Sequence, residues 1–288
     1  MTKNNGPSFR RLRMGLSTVL GLKPQGFFIP YRHADQLAKE VPSYAPFEGL
    51  FHAAEPVFAA VLDLIDDFSD VLVGLGGEPP EPRWPQGWFS RLDGAAAYVM
   101  VRQCQPRRIV EVGSGHSTRF MVRALFDGQI GCDFTAIDPT PRADIARLSL
   151  NHVPSLVQDA PIEPFAALEA GDILFIDSSH LAQPGTDVDW LVGRVLPCLP
   201  EGVLVHFHDI CLPDDYFADW AWRGYNEQQV VAALLAAGGF RPLFASHYVA
   251  TRMAEVVAAG GAGRIPIIDG GRETSLWLEK TGPAAVDW

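Results

Sequence analysis

The chain has 288 residues, of which 48% are apolar and 20% charged, and its formal net charge is −11. That length and apolar content suffice to bury a large core in one α/β domain carrying an N-terminal extension. An acidic balance without an extensive Lys or Arg cluster argues against a nucleic-acid partner and favours small-molecule or cationic ligands. No apolar run reaches the roughly 18 residues of a bilayer span.

The opening segment from Ser8 to Leu22 is basic and then apolar, with Arg10, Arg11 and Arg13 preceding Leu16, Val19 and Leu20. It lacks an Ala-x-Ala cleavage site and runs on into Phe27-Phe-Ile-Pro-Tyr, so it is expected to be an amphipathic lid or homo-oligomer-contact helix rather than a secretion signal, with surface membrane attachment as the alternative. Over 45–75, Phe47, Leu50, Phe51, Val57, Val61, Leu64 and Ile65 recur at helical spacing. Gly-Gly-Glu-Pro-Pro-Glu-Pro at 76–82 breaks that pattern and is the best linker candidate, which gives an N-terminal helical extension or lid over 1–83 and a second domain over 84–288. A helix is expected at 93–102, then strand-like runs at 107–112, 134–138, 155–159, 172–177 and 202–209 alternate with helical segments, including one at 117–128. The last third offers a helix near 226–238 and strands near 241–250 and at 274–280. Such alternation implies right-handed βαβ units and a mostly parallel sheet with helices on both faces. Cys104, Cys132, Cys198 and Cys211 show no Cys-x-x-Cys spacing and read as free thiols of a cytoplasmic protein.

The most informative segment is Glu111-Val-Gly113-Ser114-Gly115-His-Ser117-Thr118, where an apolar strand meets a glycine turn and a helix start. Gly113 and Gly115 allow a tight turn and close approach of a ligand, Ser117 and Thr118 can cap the helix, and Asp138 closes the next strand where a ribose diol needs an acceptor. A dinucleotide would call for a third glycine where Thr118 stands, and Glu111 would repel a pyrophosphate but suits a cationic ligand. The order Glu111-x-Gly113-x-Gly115, Asp138, Gln158-Asp159 and Asp177 resembles the class I S-adenosylmethionine-dependent methyltransferases, and more narrowly the small-molecule enzymes related to macrolide-sugar and catechol O-methyltransferases. The resemblance covers about 84–280 and implies a Rossmann-like seven-stranded sheet ending in an edge hairpin, with 84–288 as the catalytic domain. It also implies that Glu111, Gly113, Ser114 and Gly115 line the methionine part of S-adenosylmethionine, that Asp138 accepts from the ribose and that Asp159 meets the adenine amino group, with Ser117, Gln158 and Asp177 completing the cofactor set.

In an open parallel sheet ligands sit beyond the carboxyl ends of the strands, and those ends are unusually polar here. Asp177-Ser-Ser-His180 places a carboxylate and an imidazole over one pocket, and methyl transfer to a hydroxyl needs that hydroxyl deprotonated, so His180 is the candidate general base. In Val203-Leu-Val-His206-Phe-His208-Asp209, strand alternation puts His206 and His208 on one face. Metal-dependent relatives resemble this chain at Asp177 and Asp209 but carry a carboxylate or amide where His208 stands, which leaves a divalent metal at Asp177, Asp209 and His208 open. A set that also includes His180 would suit a transition metal better than magnesium. The expected catalytic group is therefore Asp177, His180, His208 and Asp209, acting on a small-molecule acceptor. Two rivals stand beside it: a metal-dependent hydrolase built on His206-x-His208-Asp209, and a cofactor-binding protein without catalysis. Asp187, Asn226 and Glu227 read as helix caps. Trp84, Trp88, Phe89, Tyr216, Trp220, Trp222 and Tyr225 would either pack the core or wall an apolar acceptor.

Overall fold

The computed structural model describes residues 9–38, 41–286 and 288 and divides the chain into two compact units, Met1–Val41 and Pro42–Trp288. In the first unit, α1 (Phe9–Val19) carries Phe9, Leu12, Leu16 and Val19 at three- and four-residue spacing along one face, and none of its residues is buried. Thr18 Oγ1 donates to Met14 O at 3.1 Å and accepts from Gln25 N at 2.9 Å, which folds the following turn back on the helix end. Ser8, the start of the expected helix, lies outside the described residues. No helix among the described residues is long and apolar enough to cross a membrane.

The second unit opens with α2 (Ala45–Asp67), α3 (Ser69–Gly74) and α4 (Arg91–Cys104). There follow β1 (Arg108–Val112), α5 (His116–Gly128), β2 (Asp133–Ile137), β3 (Asn151–Val153), α6 (Glu163–Ala166), β4 (Ile173–Ile176), α7 (Asp187–Trp190) and β5 (Leu204–Phe207). The chain ends with α8 (Glu227–Ala236), β6 (Phe240–Ala245), α9 (Ser246–Arg252), α10 (Ala254–Ala259) and β7 (Leu276–Lys280). The strands form one sheet in the order β3-β2-β1-β4-β5-β7-β6, in which β1 to β5 are parallel and β7 runs antiparallel to both β5 and β6. β4 and β5 are buried at every residue, as strands covered on both faces must be.

Two element boundaries differ from expectation. The strand expected at 155–159 is instead β3 at Asn151–Val153, and Val157–Asp159 forms a 3-10 turn. Pro154, lacking an N–H, stops the ladder directly after Val153. The strand expected through residue 250 ends at Ala245, and α9 follows because the Tyr248 ring is drawn into an aromatic cluster with Phe51 and Phe58, at ring centroids 5.6 and 5.9 Å away. The expected division into 1–83 and 84–288 stands beside a contact grouping into Met1–Val41 and Pro42–Trp288. α2 lays Phe51, Phe58, Leu62 and Ile65 into the hydrophobic core shared with the sheet.

Candidate active site

β1 ends in a turn that only glycine can make. Gly113 has φ +79°, and a Cβ there would lie 1.9 Å from the backbone carbonyl oxygen of Asp177, so the missing side chain is what allows the ends of β1 and β4 to meet. Beneath the turn Glu111 is fully buried and holds it shut. Its two carboxyl oxygens accept from Ser117 Oγ and Thr118 Oγ1, both at 2.6 Å, while Thr118 Oγ1 accepts from the Gly115 N–H at 2.8 Å. Thr118 therefore closes the start of α5 as expected, whereas Ser117 lies within its first turn and is tied to Glu111. Burial pushes the Glu111 carboxyl up to about 8, with the two hydroxyls opposing.

Beside the turn, Asp138 Oδ2 accepts from Ser114 N at 2.7 Å and Ser114 Oγ at 3.2 Å, and its Oδ1 accepts from Thr140 N at 2.7 Å. The acid at the end of β2 thus braces the glycine turn. Gln158 donates to Gly185 O at 2.9 Å, and Asp159 is exposed on the 3-10 turn after β3.

Beyond β4 and β5 the chain draws together the four side chains expected to act on an acceptor. His180 Nε2 lies 3.4 Å from both Asp177 Oδ1 and Asp209 Oδ2, and His208 Nδ1 lies 3.4 Å from Asp177 Oδ1 and 3.6 Å from Asp209 Oδ1. Two of the four, His180 at φ +60° and Asp209 at φ +54°, adopt left-handed backbone that non-glycine residues rarely take. For Asp209 this explains how it joins His208: the chain leaves the strand after Phe207, and alternation no longer separates them. Burial alone would lower the pKa of both imidazoles, but the surrounding carboxylates override it and hold both well above 6.5. Asp177, whose side chain is 34% exposed, would be raised by burial but is held well below its usual value by His208 and His180.

His206 shares the face of His208 but belongs to the core. It stacks on Phe175 at 3.7 Å and pairs through Nε2 with Ser275 Oγ at 2.9 Å, and burial holds it well below 6.5. Among the described residues no group of three or more His, Cys, Asp or Glu is arranged to hold a metal ion.

Several contributors escaped the sequence reading. Glu227 was expected to cap α8, yet its carboxylate reaches His180 Nδ1 at 2.8 Å, and Asn226 Oδ1 accepts from Ala182 N at 2.7 Å instead of capping. Asp187 follows the true cap, Thr186, and binds the N–H and hydroxyl of Ser179. Asp93, fully buried on α4, accepts from Thr274 N and Ser275 N and lies 3.6 Å from His208 Nε2. Arg223 Nη1 approaches Asp209 Oδ2 at 3.7 Å while its guanidinium lies over the Trp220 and Tyr225 rings. A chain-local signal exists for Asp187, Asn226 and Glu227, as acids and an amide at helix starts, and none exists for Asp93 or Arg223. The aromatic residues divide: Trp84 and Phe89 are core, Trp88 stacks on His116, and Tyr216, Trp220 and Tyr225 cluster beside His180.

A family profile described as a methyltransferase domain matches residues 110–210, from β1 through the end of β5. No curated protein sequence matches the chain. Among solved structures it is similar to the methyltransferase PaMTH1 of Podospora anserina bound to S-adenosylhomocysteine (SAH), at 13% identity over 89% of this chain and 99% of that one, with a TM-score of 0.40. It is similar to the SAH complex of the plantazolicin methyltransferase BamL with a triazolic desmethylPZN analog, at 10% identity over 80% and 99% and a TM-score of 0.40. It is also similar to the branched-chain polyamine synthase of Thermus thermophilus, at 14% identity over 78% and 66% and a TM-score of 0.41. The segment similar to a methyltransferase domain thus spans the glycine turn and the strand ends that carry Asp138, Asp177, His208 and Asp209.

Proposed function

We propose that this protein moves a methyl group from S-adenosylmethionine to a hydroxyl oxygen of a small molecule, with His180 as general base. The observation that carries this reading is the convergence of Asp177, His180, His208 and Asp209 directly beside the Gly113 turn, whose closest neighbour is Asp177 itself. Glu111, Gly113, Ser114, Gly115, Ser117, Asp138, Gln158, Asp159 and Asp177 are assigned to the cofactor. The side-chain-free turn and the acid at the end of β2 fit a nucleoside carrying an amino-acid tail. The cofactor supplies an electrophilic methyl group. The protein supplies alignment, which accounts for the larger share of the rate, and removal of the hydroxyl proton.

His180 accepts that proton only when neutral. Because its carboxylate neighbours hold its pKa well above 6.5, turnover should climb with pH through and beyond the neutral range. The hydrolase alternative fits less well, since it needs His206 as a ligand and that ring is held between Phe175 and Ser275.

Calorimetric titration with SAH, with NADH as comparison and repeats after chelation and with added magnesium or manganese, tests the cofactor class. Saturable binding of SAH alone is expected. Binding of NADH instead would refute the reading, and a requirement for added cation would return Asp177, His208 and Asp209 to the role of metal ligands. An acceptor screen then separates the roles within the site. His180→Ala should suppress turnover with SAH affinity nearly intact, and Asp138→Ala should weaken SAH binding by tenfold or more.

A further inference from the structure

α8 starts with a carboxylate that does not serve its own helix. Glu227 is 1% exposed, and its Oε2 lies 2.8 Å from His180 Nδ1 while its Oε1 accepts from Ser178 Oγ at 3.2 Å. The backbone repeats the clamp, because the N–H groups of Asn226 and Glu227 both donate to His180 O, at 3.0 and 3.3 Å. Asn226 Oδ1 takes the Ala182 N–H, and the Tyr225 ring covers the imidazole at a centroid distance of 4.6 Å. The helix start therefore grips the 178–182 turn from three directions. A left-handed backbone at a histidine persists only where its surroundings overdetermine it, and here they do.

The consequence is chemical. A neutral imidazole carries one N–H and one lone pair, and the partner of one nitrogen decides the role of the other. Carboxylates face both nitrogens, but Glu227 is the nearer, 2.8 Å from Nδ1 against 3.4 Å from Nε2 to Asp177 Oδ1 and Asp209 Oδ2, so in the neutral ring it takes the N–H at Nδ1 and leaves the lone pair on Nε2.

We infer that Glu227 is the positioning residue of this site, holding His180 as its Nδ1–H tautomer so that Nε2 faces the space between Asp177 and Asp209 where the acceptor hydroxyl gives up its proton. This rests on the methyltransferase reading. The proton passes from the acceptor oxygen to Nε2 as the oxygen–methyl bond forms, and the sulfur keeps the electron pair of the bond that breaks. The Nδ1 proton stays on the ring, so the ring's single positive charge faces the Glu227 carboxylate until Nε2 releases its proton to water. Glu227 touches no reacting atom.

Nitrogen-15 NMR of the ring-labelled, SAH-saturated full chain reads the tautomer directly, with the His180 signal assigned by its loss in His180→Gln. At a pH above its titration, wild-type His180 should be protonated at Nδ1. In Glu227→Gln the Nδ1–H form should lose its dominance while SAH affinity stays within threefold. With an acceptor in hand, kcat should fall about a hundredfold with KM for the cofactor little changed, and Glu227→Asp should recover part of it. Protonation of wild-type His180 at Nε2 would overturn the proposal whether or not any variant folds, and so would an unchanged tautomer in Glu227→Gln. Failure of SAH to bind the wild type would instead overturn the methyltransferase reading and is seen before any tautomer is measured.

Discussion

Replacing Glu111 by Gln tests whether the acid beneath the glycine turn is held neutral. Glu111 is wholly buried, and its carboxyl is pushed up from 4.5 to about 8, first by burial and then by the nearby charges of Asp177 and Asp138, against the pull of the Ser117 and Thr118 hydroxyls. A raised carboxyl binds its proton more tightly in the folded than in the unfolded chain. Its folded form is therefore favoured at low pH and loses ground as pH climbs from 4.5 to about 8, above which both states are ionised and the cost is complete. A displacement of that size corresponds to roughly 5 kcal/mol at full extent, lost at about 1.4 kcal/mol per pH unit. The amide keeps the shape and has no proton to lose. Urea unfolding of wild type and Glu111→Gln at pH 5, 6.5 and 8 should show the variant gaining stability relative to wild type at each step, by several kcal/mol over the series. Parallel curves would mean that Glu111 ionises in place, with the two hydroxyls sufficient to carry its charge, and the account of the turn would be wrong.

Two further perturbations probe the same scaffold. Gly113→Ala would thrust a Cβ to within 1.9 Å of the Asp177 carbonyl at a backbone φ of +79°, so overpacking and strain together should cost about 3–5 kcal/mol in urea unfolding. A loss below 1 kcal/mol would show that the ends of β1 and β4 are not so tightly joined. Asp93→Ala would strand the buried N–H groups of Thr274 and Ser275 and should destabilise by about 2–4 kcal/mol, and an unchanged urea midpoint would show those groups finding other partners.

The parallel core was legible in the sequence because β1, β4 and β5 are short apolar runs that end in acids and glycines, and such strands declare themselves without reference to their neighbours. β3 was misplaced for the opposite reason. Asn151-His-Val153 is an exposed edge with no apolar alternation, and the more apolar Leu156 and Val157 drew the expectation past Pro154. The end of β6 was hidden because Tyr248 and Val249 are as apolar as strand residues, and only their packing against α2 makes them helical.

Residue order by itself determined the glycine turn, the acids closing the strands and the presence of His180, His208, Asp177 and Asp209, since each is a property of a few consecutive residues. Tertiary structure alone decided what those groups face. It set Glu111 under the turn, turned His206 into the core, bent Asp209 out of its strand and brought Glu227, 47 positions away in the chain, to His180. A hydrogen-bond partner supplied by a distant helix leaves no periodicity in the chain, because its geometry exists only once the sheet has closed beneath it.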